Sequence, residues 1–203
     1  MSRKKILVVD VAAQHSGGAA ILKEFFQYVC RYGQNYEWMF LVSVVQLDVP
    51  DKCADFIKVE YHTEMKKNLL SRIHWEMKDL RKVIPDFIPD VVLSLQNLMV
   101  NIKNVPQIVY MHQSLPFQDI KRFSFLKSDE RASAFQQHLM GYLIKKSIKR
   151  ADGVIVQTPW VKDAVVKKTG VSPNKILVSS PSLHIPDISK KSRLYKDVYE
   201  CEK

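Results

Sequence analysis

Ile6, Leu7, Val8 and Val9 follow one another between Lys5 and Asp10 with no polar residue among them. A strand wetted on one face alternates; an unbroken aliphatic run belongs to a strand covered on both, which is the habit of parallel sheets. Parallel strands need long crossovers, and the chain supplies them. Ile21, Leu22, Phe25, Phe26 and Val29 recur at helical spacing, predicting a helix from Gly18 to near Gly33. Further strands are expected at 38–45, 56–61, 89–97 (PDVVLSLQN), 105–113 (VPQIVYMHQ), 152–158 (DGVIVQT) and 175–180 (KILVSS). Leu69, Ile73, Met77, Leu80 and Ile84 form one stripe of a helix over 62–84, ended by Pro85 and Pro89. Two more helices are expected, at 129–150 with Ser128 as its cap and at 159–168. This alternation predicts an α/β fold, a Rossmann-like parallel sheet with helices on both faces, over residues 1–181. Residues 182–203, where apolar spacing fades, read as a tail or the start of an interdomain linker.

Ligands of such sheets sit beyond the carboxyl ends of the strands, which directs attention to loops 11–18, 96–104, 112–127 and 157–160. The formal charge of +10 favours anionic ligands: nucleic acid, phospholipid headgroups or sugar nucleotides. Nucleic acid is disfavoured, because the interleaved aromatic and basic motifs of such surfaces are missing. Cys30, Cys53 and Cys201 fit neither a disulfide framework nor a zinc site. No apolar run approaches the roughly 18 residues of a membrane span. The N-terminus runs from charge straight into a strand, so a cytoplasmic protein is expected.

Gly17 and Gly18 open the first helix, but Ala19, Ala20 and Ile21 follow, so the G-x-G-x-x-G fingerprint fails; G-x-x-x-x-G-K-[ST] is also absent. Two readings fit the pair: a helix N-terminus bared for an anion or sugar hydroxyl, or a tight turn with no ligand. His112, ending a buried strand, suits donation to a phosphate or sugar oxygen, or a purely structural hydrogen bond. Asp10 either accepts from a hydroxyl of an acceptor or bonds the loop backbone. Trp75 is expected to cover the sheet, while Trp160 stands nearer the cleft edge.

Four segments in order carry a resemblance: Ser16-Gly17-Gly18 opening a helix, PDVVLSLQN (89–97), VYMHQSLPF (109–117), and ADGVIVQTPWVKDAVVKKTGVSPNKILVSSP (151–181). In the last, Thr158 takes the place of a usual serine and Lys162 fits a lysine of the pattern. Together they resemble the N-terminal domain of retaining, nucleotide-sugar-dependent glycosyltransferases of GT-B architecture (group 1 type). The resemblance implies transfer of a sugar from a nucleotide-diphosphate sugar to a hydroxyl, with retention, in bacterial cell-surface polysaccharide or glycolipid synthesis. It places Ser16, Gly17, Gly18, Gln113 and Thr158 at the donor phosphate or acceptor and His112 at the reacting centre; beside it, Asp10, Asn97 and Trp160 are read as candidate acceptor contacts. It implies no metal and no cofactor beyond the donor substrate, and a glycan or lipid-linked acceptor. No two glutamates stand eight positions apart, so the E-x(7)-E motif of the donor-binding C-terminal domain is missing, and an inactive acceptor-side half is expected. The alternative is a non-catalytic module that recruits a separate catalytic chain.

The helix over 62–84 carries Lys66, Lys67, Arg72, Lys78, Arg81 and Lys82 on its other face, and Lys121, Arg122, Phe123 and Phe125 cluster in KRFSFLK (121–127). Both suggest an anionic bilayer, at the inner face of the plasma membrane, as a partner; the alternative, and the commoner meaning of a charge run, is a solvated helix face with a loop that packs its aromatics inward.

Overall fold

A computed structural model of the chain describes residues 2–13, 17–63, 75 and 80–180, with 81–84 by backbone alone. Ser16 and the expected tail at 182–203 lie outside the described residues, as does most of the helix expected at 62–84. Seven strands make one sheet: β1 (Lys4–Asp10), β2 (Tyr36–Val42), β3 (Ile57–Tyr61), β4 (Val91–Ser94), β5 (Gln107–Met111), β6 (Gly153–Val156) and β7 (Ile176–Val178). Their order is β3-β2-β1-β4-β5-β6-β7 and every pairing is parallel. The expected α/β, Rossmann-like fold class is therefore the observed one.

Because side chains alternate across a strand, each aliphatic run feeds two cores. Val8 and Phe40 meet Leu22, Phe26 and Val29 of helix α1 (Gly17–Tyr32) on one face. Leu7, Val9, Met39, Leu41 and Val92 meet Trp75, Leu80 and Phe87 on the other, the last two from α2 (Leu80–Phe87). Trp75 thus covers the sheet, as expected. On the same side, Val109, Met111, Val154 and Val156 pack against Ile144 and Ile148 of the long helix α3, and Val161 and Val165 of α4 (Pro159–Thr169). Each such side chain, fully buried, contributes roughly 1.5–3 kcal/mol. α1 stops where the Trp38 indole donates to the Gly33 carbonyl at 2.9 Å; a Cβ at Gly33 would lie 2.8 Å from that indole nitrogen.

The strands are mostly shorter than the expected runs, and three boundaries differ for reasons the structure shows. The second strand ends at Val42, which pairs with Tyr61; Val45 and Leu47 stay buried as loop residues, Leu47 bonded through both backbone groups to the Tyr61 hydroxyl. An apolar run reports burial, not pairing. α2 passes through Pro85 to Phe87, because a proline this near a helix end removes a single late hydrogen bond. The effective stop is Pro89, which bars Ile88 from helical angles; Ile88 has φ +43°. Lastly, α3 comprises Arg131–Ala134, a π-helical stretch Phe135–Met140, and Gly141–Arg150. It begins after Glu130, and Ser128 lies in the preceding turn rather than capping it.

Glu130 is drawn away from the helix end by the loop before it. Its nearly buried carboxylate accepts from the Ser124 amide at 2.9 Å and pairs with Lys121 at 3.0 Å and Lys127 at 3.5 Å. The Ser124 hydrogen bond and then Lys121 hold its pKa down at about 2. A carboxylate depressed in the fold contributes stability that is complete above its ordinary pKa of 4.5 and is lost as pH falls through that value toward about 2. Glu130→Gln is therefore expected to lower the melting temperature at pH 7 and to flatten its decline between pH 5 and 3, read by circular dichroism; parallel profiles for the two proteins would refute this.

Candidate functional site

In this strand order the direction of progression reverses between β1 and β4, and the crevice outside their carboxyl ends is where such sheets bind ligands. The ends of β1, β4, β5 and β6 lie side by side, with neighbours about 4.8 Å apart. That edge gathers Asp10, Gln96, Asn97, His112, Gln113 and Thr158.

Asp10 is buried and its Oδ1 accepts from the Ala13 amide at 3.2 Å, so this carboxylate shapes the loop backbone after β1. Gly17 and Gly18 open α1 without positive φ; a Cβ at Gly17 would meet nothing within 4 Å, and one at Gly18 only the Ala13 Cβ at 3.9 Å. Neither turn geometry nor crowding from the described residues calls for glycine at either position.

Asn97 joins two loops. Held at φ +65°, a left-handed conformation that asparagine tolerates, it accepts through Oδ1 from the amides of His112 (2.8 Å) and Gln113 (2.9 Å). Its Nδ2 then faces His112 Nε2 at 3.1 Å. An oxygen that accepts two amide protons fixes the orientation of the side chain, so Nδ2 must donate and Nε2 must accept. The proton of the neutral imidazole is thereby assigned to Nδ1. Burial holds the His112 pKa below its ordinary value and keeps the ring neutral. Asn97, read from sequence as a candidate contact of the sugar acceptor, holds the His112 ring and backbone in place through these bonds.

His112 Nδ1 is itself buried and lacks a partner. So do both side-chain ends of Gln96, whose residue is 4% exposed, and the hydroxyl of Thr158. Thr158 is the residue before α4, where a threonine usually bonds a first-turn amide; here its side chain makes no capping bond. Orphaned buried polar groups are few in native structures, and these stand at the ends of β4, β5 and β6, three adjacent strands. The set offers a donor at His112 Nδ1, donor and acceptor at Gln96, and a hydroxyl at Thr158. Such a mixture suits a ligand rich in hydroxyls.

Sequence reasoning missed Gln96. The available signal was a polar residue directly after VVLSL at the strand reversal, but strand ends cannot be placed to one residue by pattern. Lys162, matched in the resemblance, donates to the Ile176 carbonyl at 2.9 Å and ties α4 to β7. Trp160 is half-exposed in the first turn of α4. Beside the crevice, a groove of about 430 Å³ runs between Phe25 and Tyr28 of α1 and Leu95 and Tyr110 of the sheet. The Tyr110 and His112 rings lie 6.2 Å apart, so groove and crevice adjoin. Among the described residues no group of three His, Cys, Asp or Glu is placed to hold a metal ion, and no helix is long and apolar enough to cross a membrane.

The family profile described as Glycosyltransferase Family 4 matches residues 39–181. No curated protein matches the sequence. Among solved structures, a UGT transferase from Siraitia grosvenorii in complex with UDP aligns with TM-score 0.57 at 10% identity, over 95% of this chain and 55% of that one. The UDP-GlcNAc 2-epimerase of Neisseria meningitidis bound to UDP-GlcNAc aligns with TM-score 0.54 at 14% identity, over 94% and 53%. Anabaena Alr3699/HepE in complex with UDP and glucose gives 0.51 at 15%, over 97% and 50%. The chain spans about half the length of these structures, and at such identities the likeness is one of fold.

Gln96→Met removes two unsatisfied buried groups at nearly constant volume. It is expected to leave the free protein as stable as the parent or more so, by about 1 kcal/mol, in urea unfolding. A loss of stability would mean that Gln96 has a structural partner.

Proposed function

As the chain belongs to Glycosyltransferase Family 4, we propose that the crevice at the ends of β1, β4, β5 and β6 is one wall of a sugar-transfer site. The reaction assigned to it moves a sugar from a nucleotide-diphosphate donor to a hydroxyl, with the anomeric configuration retained. The observation that carries this reading is the row of unpartnered buried groups at Gln96, His112 and Thr158. The structural relatives described above hold UDP, UDP-GlcNAc, or UDP with glucose, the donor class proposed here.

Each residue then has a task. Charge grows on the leaving diphosphate as the anomeric bond breaks, and fixed donors stabilise it without reorganising. In this reading the N-terminal amides of α1 at Gly17 and Gly18 serve that charge, and the serine before them, Ser16, is assigned to the same group. His112 donates from Nδ1 to an oxygen of the transferred sugar. With Nε2 engaged by Asn97, it serves as a positioning donor rather than as the base that takes the proton of the acceptor. Thr158 and Gln96 bind further hydroxyls, and Gln113 and Trp160 flank the acceptor side. In this reading the nucleotide is carried chiefly by a second domain; the chain spans 55% and 53% of the two structural relatives. Cell-surface polysaccharide or glycolipid synthesis, with this wall on the acceptor side and the site facing the cytoplasm, is the assigned setting.

The test is a transfer assay over a panel of nucleotide sugars and acceptors, with the product anomer read by NMR. His112→Ala is expected to lower kcat by about 10²-fold, as for loss of one preorganised donor. Nucleotide affinity should hold, because nucleotide and His112 occupy opposite walls. Full transfer by His112→Ala, or an inverted product, would overturn the assignment.

A further inference from the structure

The loop after β5 and the outer side of α3 expose more large apolar surface than a solvated face requires. Ile120 is 96% exposed and Leu126 92%, and Phe125, Phe135, Leu139 and Tyr142 are exposed beside them. This loop is not held by its apolar tips. Phe123 N donates to Gln137 Oε1 at 2.9 Å and Gln137 Nε2 to the Lys121 carbonyl at 2.7 Å. His138 Nε2 bonds the Phe123 carbonyl at 2.9 Å, and Arg131 Nε the Phe125 carbonyl at 3.3 Å. Polar bonds thus fix the loop along α3 while its largest apolar side chains point away from the core. On α3, Arg131, Phe135, Leu139, Tyr142 and Lys146 follow at steps of three and four along one exposed side, opposite buried Ile144 and Ile148. Contiguous exposed apolar surface of this kind marks an interaction site.

Its charge says with what. Between residues 117 and 150 there are eight Lys and Arg against three Asp and Glu, and Glu130 is already engaged by Lys121 and Lys127. Arg122, Lys146 and Lys149 stand exposed around the apolar tips. A second copy of the chain would bring like charges face to face, whereas a bilayer containing anionic lipid accepts both parts. Apolar tips enter the boundary of the acyl region and cations remain among the headgroups. We propose that loop 120–127 and the outer stripe of α3 form the face by which this protein docks on an anionic membrane. The proposal stands without the sugar-transfer reading.

Lys121, Arg122, Phe123, Phe125 and Leu126 were singled out by sequence; Phe123 is half-buried beneath Lys121, and Ile120, Phe135, Leu139 and Tyr142 are added by the structure. The test is co-sedimentation of the 203-residue chain with phosphatidylcholine vesicles, with and without phosphatidylglycerol, beside the variant Ile120→Ser/Leu126→Ser. These side chains support nothing in the fold, so the melting temperature should not move. Binding is expected to need the anionic lipid, to weaken with salt, and to fall about tenfold or more in the variant. Absence of binding to anionic vesicles, equal binding to neutral ones, or equal binding by the variant would overturn it. So would a dimer, seen by sedimentation, that the variant abolishes.

Discussion

Parallel strands cannot be joined by tight turns, so every connection must leave the sheet at one edge, cross a face and re-enter at the other. That rule sends all the carboxyl ends of this sheet the same way, and burying both faces demands aliphatic runs such as Ile6 to Val9. Where the order reverses, the connections after β1 and β4 part to opposite sides, and the crevice between them is where such sheets take up ligands. Cores and crevice thus arise from one topological fact. The former satisfy apolar groups, and the latter collects polar ones, some bonded to each other and some buried without a partner.

Asn97 shows how that edge is organised. One amide side chain spans two strand ends, fixes the backbone after β5, and selects a tautomer of the neighbouring imidazole. The selection matters chemically, since a ring whose Nε2 accepts from a neighbour can offer only a proton at Nδ1. A histidine that sequence reasoning left open between structural bonding and ligand contact makes the structural bond through Nε2 and keeps a buried Nδ1 without a partner.

Much of the architecture was legible in the sequence because burial on both faces writes itself as unbroken aliphatic runs, and α1 because Leu22, Phe26 and Val29 keep helical spacing against the sheet. Boundaries were less so. Pro85 looks like a stop until the whole helix shows that little remains to be broken after it, and Ser128 looks like a cap until Glu130 is seen turning to the loop. The candidate site was half legible. His112 and Thr158 follow buried strands, but Gln96 and Asn97 are adjacent residues whose roles depend on which way each side chain leaves the strand. Pattern does not settle a single residue of register; packing does.

The π-helical stretch of α3 also sets a limit on this scaffold. A π turn holds one residue more than the regular spiral, so the two halves of the helix are phased to each other through Phe135–Met140. The wide turn absorbs that extra residue, so deleting one there would restore 3.6 residues per turn with both halves near their present phase. Inside the stretch, Gln137 and His138 would be re-aimed, and with them the bonds that hold Lys121 and Phe123. The length of this stretch therefore decides how the adjoining loop is gripped rather than how the helix packs on the sheet.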